Sequence, residues 1–456
     1  MASLRCMDPE TLLATYDRRV PRYTSYPTAP QFSAAVDAAC YRDWLGGLAD
    51  GTPLSVYLHV PFCAELCWFC GCHTTVARRP APLASYARAL LDEVDLLAEA
   101  IGRPLPVRHI HWGGGTPTAL GSAWMSAVTT RLRTRFALGD DAEIAVEVDP
   151  RTLTDAAADT LAAIGVTRAS LGVQDFDPVV QAAVHRHQSF AVTEAAAMRL
   201  RARGIGSINL DLIYGLPHQT EAGVADTVAR ALGLGPDRVA VFGYAHVPWL
   251  KRHQKLLPEA ALPGPAARFA QRAAAERVIL AAGYERVGLD HYARPEDSLA
   301  AAARAGRVRR NFQGYTTDTA PVLLGLGASS IGALPDGYVQ NETAIPAWHA
   351  AVRAGRLPIA RGVALTAEDR LRREVIEQVM CRGEADLPAI AARHGVGAES
   401  LLAAGPVLRA QAADGLVHWD GARVSVTERG RPFVRAVAAA FDAYLRPDAT
   451  RHAAAI

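Results

Sequence analysis

An α/β fold built on a parallel sheet is predicted by three features of this 456-residue sequence. Short apolar, β-rich runs recur along the chain, helical patterns fill the gaps between them, and polar or glycine residues collect where the runs end. The runs lie at 55–61, 107–112, 143–149, 168–174, 207–214 and 238–244. Six of them alternating with helices indicate βα units in a parallel sheet, open or barrel-like.

The elements follow in order. Residues 1–45 form an arm ahead of the first strand, in which Pro21, Pro27 and Pro30 forbid a continuous helix. Its tyrosines, among them Tyr23 and Tyr26, are expected to pack on something, because a plain linker is less aromatic. Residues 46–355 carry the strands. Between the first two, residues 85–98 place Leu90, Leu91, Val94 and Leu97 on one helical face. After about residue 250 come a helix at 265–282, a polar and aromatic site-facing loop at 311–317, and a small-residue stretch at 323–331 that suits a strand end near a ligand. Residues 356–456 are mostly helical, at 367–380, 386–394 and 398–412, with a hairpin at 415–426 and a last helix at 431–446. Helices followed by a hairpin suit either a winged-helix module or a lid beside the sheet, and the lid is favoured because no basic stripe marks a DNA-reading helix.

Composition narrows the function. Lys+Arg 48 against Asp+Glu 46 is too balanced for a nucleic-acid groove, and hydrophobic residues make up 50%. No run of about 20 apolar residues is present, so no membrane insertion is expected. The N-terminus lacks the apolar core of a signal peptide, and the seven cysteines are an odd number, so a reduced, cytoplasmic setting is expected. Cys6, Cys40 and Cys381 read as ordinary core or surface residues.

The other four, Cys63, Cys67, Cys70 and Cys72, fall within ten residues as C-x3-C-x2-C-x-C. Structural zinc usually takes two separated ligand pairs, and no second pair appears. An iron–sulfur cluster fits better, and three thiolates in a short loop leave one iron of a [4Fe-4S] cube open, as a catalytic cluster needs. In parallel sheets ligands sit at the C-terminal strand ends. There this chain places the cysteine loop, Gly113–Thr118, Glu147 with Asp149, Gln174, Asp211 and Tyr244–His246. The glycine run lacks a phosphate-loop ending and suits a backbone edge approached closely by a ligand. Glu147 and Asp211 suit ribose hydroxyls or an ammonium group, and Arg186 suits a carboxylate. Tyr57 and His59 share one face of the first strand and are expected to point inward.

The loop after Tyr57-Leu-His-Val-Pro-Phe62 is similar to that of the radical S-adenosylmethionine (SAM) enzymes. With Pro21-Arg-Tyr-Thr-Ser-Tyr-Pro-Thr28, Cys70-Gly-Cys72, His111-Trp-Gly-Gly-Gly-Thr-Pro-Thr118, Glu147-Val-Asp-Pro150, Gly172-Val-Gln-Asp-Phe176, Asp211-Leu-Ile-Tyr-Gly-Leu-Pro217, Asn311-Phe-Gln-Gly-Tyr-Thr-Thr317 and Phe441-Asp-Ala-Tyr-Leu445, the chain resembles the oxygen-independent coproporphyrinogen III oxidases over nearly its whole length. One position departs: Gly243 stands where that family leads one to expect Asn.

The resemblance implies a radical-SAM (β/α)6 partial TIM barrel with an N-terminal arm closing over the site and a mostly helical C-terminal domain. Cys63, Cys67 and Cys70 would hold three irons of a [4Fe-4S] cluster, with SAM on the fourth and Cys72 beside the site. Two SAM molecules are implied, one near Tyr57, Phe69, Gly114, Glu147 and Ile331, the other near Gly115, Thr116, Gln174, Arg186, Asp211 and Ala245. Tyr57, His59, Glu147 and Cys72 are the implied catalytic positions, and Gln313 joins the cofactor-binding set. A 5′-deoxyadenosyl radical would take hydrogen from a propionate β-carbon, and loss of CO2 and an electron would leave a vinyl group, twice per porphyrinogen. Arg22 is a candidate for steering that acidic substrate. A monomer served by an unidentified reductant and electron acceptor is expected. A related haem chaperone and a haem-ring-opening radical SAM methylase are the alternatives, and the arm and Cys72 argue against the chaperone.

Overall fold

The computed structural model describes residues 7–445. Six parallel strands stand side by side in chain order: β1 Leu54–Val60, β2 Pro106–Gly114, β3 Ala137–Val148, β4 Arg168–Gln174, β5 Ser207–Tyr214 and β6 Arg238–Gly243. Alternate residues of each are fully buried: Val56, Leu58, Trp112, Val146, Leu171, Leu210 and Val239 are at most 1% exposed. That is the pattern of strands covered by helices on one face and by the molecule's interior on the other.

The sheet continues at both ends, and six more strands bring it to twelve. Next to β6 lie the antiparallel strands β7 Glu285–Val287 and β8 His291–Ala293. On the other side β9 Val322–Leu326 runs parallel to β1, followed by antiparallel β10 Ile331–Leu334, β11 Gly337–Asn341 and β12 Ile359–Ala364. The order is β12-β11-β10-β9-β1-β2-β3-β4-β5-β6-β8-β7. Side chains from β1 to β6 and Leu323 of β9 line one cavity, so the sheet curves around it as a partial barrel. The stretch expected as a strand end at 323–331 is the β9–β10 hairpin. The expected loop at 311–317 is a hairpin too, Arg309–Asn311 with Gly314–Thr316.

Helix Pro80–Ile101 extends the expected 85–98 in both directions. Leu90, Val94 and Leu97 are buried, Leu91 is half-buried, and Glu93 shares the buried face. The arm is less separate than its sequence implies. Leu12, Leu13, Tyr16, Tyr23 and Tyr26 join one core with Leu371, Val375, Val379, Phe433 and Phe441 of the C-terminal region. Tyr23 donates to Asp442 at 3.0 Å, and Tyr26 Oη accepts from the Ala443 amide at 2.9 Å. The tyrosines that looked too many for a linker anchor the arm to the chain's other end.

The C-terminal region opens with helix Ala367–Arg382, whose Thr366 and Asp369 form a reciprocal capping box. Its hairpin, Val417–Trp419 with Arg423–Val426, gains a third strand, Glu384–Asp386, which the sequence reading did not anticipate. Two helices are shorter than expected. The one at 398–412 breaks into Glu399–Leu402 and Gly405–Ala413, because Pro406 has no amide to continue the ladder. The one at 431–446 is three short turns, Arg431–Phe433, Val434–Ala438 and Ala439–Phe441, ending where Asp442 turns extended. Cys6 and residue 446 lie outside the described residues. Cys40 and Cys381 are half-buried free thiols. No helix among the described residues is long and apolar enough to cross a membrane.

Candidate active site

A cavity of about 670 Å³ opens at the C-terminal ends of the strands. Its wall carries most of the residues singled out in the sequence: Cys63, Cys67, Cys70, Cys72, Phe69, Gly114, Gly115, Thr116, Glu147, Gln174, Arg186, Asp211, Ala245 and Gln313. Arg22 of the arm lines it as well. Three expected residues are not on the wall. Ile331 packs toward the Phe32, Tyr338 and Leu365 cluster, because β10 turns back from the cavity. Tyr57 and His59 point inward as the strand period requires, but lie behind the wall.

Their hydrogen bonds show what they support there. His59 Nε2 is 2.9 Å from the His73 carbonyl, which can only accept, so Nε2 carries the proton. Burial lowers the His59 pKa and favours the neutral ring. Its Nδ1 therefore accepts from Tyr57 Oη at 3.0 Å. The pair thus holds the chain just beyond the last cysteine.

The cysteine loop is pinned from the opposite side by the short 3-10 helix Arg252–Leu256 and the residue before it. Lys251 Nζ donates to the Cys72 carbonyl at 2.7 Å, His253 Nε2 to the Cys70 carbonyl at 2.7 Å and Gln254 Nε2 to the Phe69 carbonyl at 3.0 Å. Below it, the Gly115 amide donates to the Val60 carbonyl and the Thr116 amide to that of Phe62, each at 2.7 Å. A Cβ on Gly115 would lie 2.6 Å from the Phe62 oxygen and 2.9 Å from Cys63 Sγ, so no side chain fits there. Gly114 sits at φ +117, beyond the easy reach of other residues.

Donors converge on the sulfurs. Thr116 Oγ1 is 3.8 Å from Cys63 Sγ, and Cys67 Sγ receives Arg186 Nη1 at 3.4 Å and Arg151 Nη2 at 3.7 Å. Asp149 holds Arg151 at 2.6 Å and Arg186 at 3.5 Å. Arg151 and Asp149 thus line the cavity beside the cysteines, and the Asp-Pro-Arg that follows β3 is the sequence signal for them. A hydrogen bond from the Cys72 thiol holds Cys70 down at about 6, and the same bond raises Cys72. Burial pushes Cys63 up to about 11. Among the described residues no three Cys, His, Asp or Glu side chains converge tightly enough for a single metal ion. All four cysteines of the loop line the cavity.

The rest of the wall is polar. Glu147 accepts from the Gly114 amide at 3.1 Å and from His111 at 3.2 Å. Asp211 accepts from Ser170 at 2.7 Å and Asn209 at 2.8 Å, and burial raises its pKa. Arg186 is 7% exposed, and its Nε is buried with no hydrogen-bond partner.

Comparison with known proteins agrees with this arrangement. The Radical SAM superfamily profile matches residues 57–231, and the HemN C-terminal domain profile matches 365–433. The chain is 52% identical to the oxygen-independent coproporphyrinogen III oxidase of Bradyrhizobium diazoefficiens, over 96% of this chain and 98% of that one. It is 47% identical to the Paracoccus denitrificans enzyme of the same name, over 97% and 98%. The structure of coproporphyrinogen III oxidase (HemN) from Escherichia coli, described as a radical SAM enzyme, superposes with a TM-score of 0.90 at 38% identity, covering 97% of this chain and 100% of that one. A cysteine loop bordering a polar cavity and relatives matched from end to end have one common reading: this chain belongs to the oxygen-independent coproporphyrinogen III oxidase family of radical SAM enzymes.

Proposed function

We infer that the chain converts coproporphyrinogen III to protoporphyrinogen IX by oxygen-independent oxidative decarboxylation of two propionate side chains, in haem biosynthesis. The observation that carries this reading is the convergence of the cysteine loop, the strand-end residues and Arg22 of the arm on one cavity. When bound, a [4Fe-4S] cluster and SAM supply a carbon radical able to take a propionate β-hydrogen.

Cys63, Cys67 and Cys70 hold the cluster. Support comes from the donors around their sulfurs, since an anionic sulfur site needs N–H and O–H groups already aimed at it. Cys72 is not a ligand: its thiol serves Cys70, and its carbonyl is tied to Lys251. The carboxylate of Glu147 takes the ammonium of the cluster-bound SAM beside Phe69 and Gly114, while Tyr57 fixes the strand behind it. Asp211 takes hydroxyls of a second SAM, and the orphaned Arg186 Nε takes its carboxylate, next to Gly115, Thr116, Gln174 and Ala245. Gln313 faces this space from its hairpin. The arm excludes water from above, its Arg22 reaching the Gly243 carbonyl at 3.4 Å.

The enzyme works as a cytoplasmic monomer with an external reductant and electron acceptor. The six free thiols among the described cysteines fit a reducing compartment. The test is an anaerobic assay with reconstituted cluster, SAM, reductant and coproporphyrinogen III. Divinyl product is expected, and its absence from a protein with full cluster content would defeat the reading.

A further inference from the structure

A recess of about 50 Å³ adjoins the main cavity and shares Arg22, Gly243 and Tyr244 with it. Five guanidiniums line it: Arg22 from the arm, Arg268 and Arg272 from helix Pro265–Ala281, Arg310 from strand Arg309–Asn311 and Arg435 from helix Val434–Ala438. The only carboxylate lining it, among the described residues, is Asp290. Asp290 is already engaged by His291 Nδ1 at 2.8 Å, with Arg310 at 3.9 Å, and Arg272 is paired with Glu276 at 3.6 Å. Arg22, Arg268 and Arg435 reach backbone carbonyls, of Gly243 at 3.4 Å, Tyr244 at 2.9 Å and Pro21 at 3.0 Å. Positive charge therefore exceeds negative charge in a buried place.

Two donors there make no hydrogen bond. Arg268 Nε is buried without a hydrogen-bond partner, and so is Arg310 Nη1, on a side chain only 6% exposed, which stands 3.9 Å from Asp290. Leaving such donors unpaired is costly unless an anion completes them. Burial lowers the pKa of Arg22 and Arg435 and neighbouring guanidiniums lower them further, whereas that of Arg310 is raised despite its burial, by Tyr315 and Asp290. If these arginines served only to tie the arm down, carbonyl contacts would be enough, and the unpaired donors would have no purpose.

We propose that this recess is a carboxylate subsite that holds a propionate the enzyme does not convert, with Arg310, Arg268 and Arg22 as its donors and Arg435 positioning Arg22. The proposal rests on the decarboxylase reading. A substrate with four propionates, of which two react, must be oriented by those that remain. Guanidiniums suit that task because their planar fork matches a carboxylate. Arg22 and Arg435 come from opposite ends of the chain, so a bound carboxylate also closes the arm.

The test compares reconstituted wild-type enzyme with Arg310→Gln, Arg268→Gln and Arg310→Lys. It measures KM for coproporphyrinogen III, binding of coproporphyrin III and of its tetramethyl ester, and SAM cleavage by dithionite-reduced enzyme. Both Gln variants should raise KM and weaken coproporphyrin binding by on the order of tenfold to a hundredfold, as for one lost charge-assisted hydrogen bond. Ester binding and SAM cleavage should be unchanged, and Arg310→Lys should recover part of the loss. Equal loss of acid and ester, or no loss of either, would overturn the proposal while leaving the decarboxylase reading standing. Wild-type enzyme that cleaves SAM yet converts no coproporphyrinogen would instead defeat the reading itself.

Discussion

The guanidinium of Arg186 joins Cys67 to the sheet, donating to its sulfur at 3.4 Å and to the Gly172 carbonyl at 2.6 Å. With Arg151 on the same sulfur at 3.7 Å, two cations stand beside one proposed cluster ligand. A reduced cluster carries one more negative charge than an oxidised one, so nearby cations favour reduction. Arg186→Gln removes one cation from beside the sulfur. The midpoint potential of the reconstituted cluster should fall by on the order of tens of millivolts, measured by redox titration followed by electron paramagnetic resonance. An unchanged potential would mean that Arg186 acts on the second SAM alone.

The four thiols are chemically unequal, and single serine variants should sort them. Cys63→Ser, Cys67→Ser and Cys70→Ser should each abolish the visible absorbance of the cluster after anaerobic reconstitution. Cys72→Ser should keep it, because the proposed assignment gives the irons to Cys63, Cys67 and Cys70 and leaves Cys72, on the wall of the same cavity, without one. A colourless Cys72 variant would contradict the three-ligand assignment.

Gly115 tests how closely the glycine edge is fitted to the cysteine loop. An alanine methyl would stand 2.6 Å from the Phe62 oxygen, backbone that cannot move without shifting Cys63. Gly115→Ala should fold, with a circular dichroism spectrum like that of the wild type, yet take up less iron and lose most product formation. Wild-type iron content and turnover would show that the edge has more room than the geometry allows.

How much of this was legible in the sequence depends on how local each feature is. The parallel strands were readable because alternate residues such as Leu58 and Leu210 are sealed in the core, which leaves short runs in which apolar residues recur at every second position. The cysteine loop and the glycine edge are contiguous motifs and were read directly. Lys251, His253 and Gln254 were not, because a single short 3-10 turn, Arg252–Leu256, and the residue before it, whose side chains reach distant carbonyls, leave no periodic signal. The arginine recess was out of reach for a different reason: residues 22, 268, 310 and 435 meet only once the arm and the C-terminal region share a core. The break before Pro406 is local, since a proline amide cannot continue the helix ladder.

Glu93 lies in the core beneath the site, and its pH dependence can be worked out. It is 1% exposed and accepts from the Gly327 amide at 2.7 Å, Asn341 Nδ2 at 2.6 Å and Trp348 Nε1 at 3.1 Å, tying helix Pro80–Ile101 to the turn after β9 and to β11. Burial raises its pKa from 4.5 to about 8 despite these donors. The folded protein therefore holds a proton that the unfolded chain releases above 4.5. Its contribution to stability is fully present below that value, declines as the pH rises and is lost on passing through about 8. Glu93→Gln, neutral at every pH, should be less stable by a constant amount, because its NH2 group replaces one of two oxygens that accept N–H donors, and should flatten this part of the stability–pH profile in urea titrations between pH 5 and 9. Glu93→Leu should instead cost several kcal/mol at all these pH values, at roughly 1–3 kcal/mol for each buried donor left unpaired. A Gln variant with the same pH slope as the wild type would place the titrating group elsewhere.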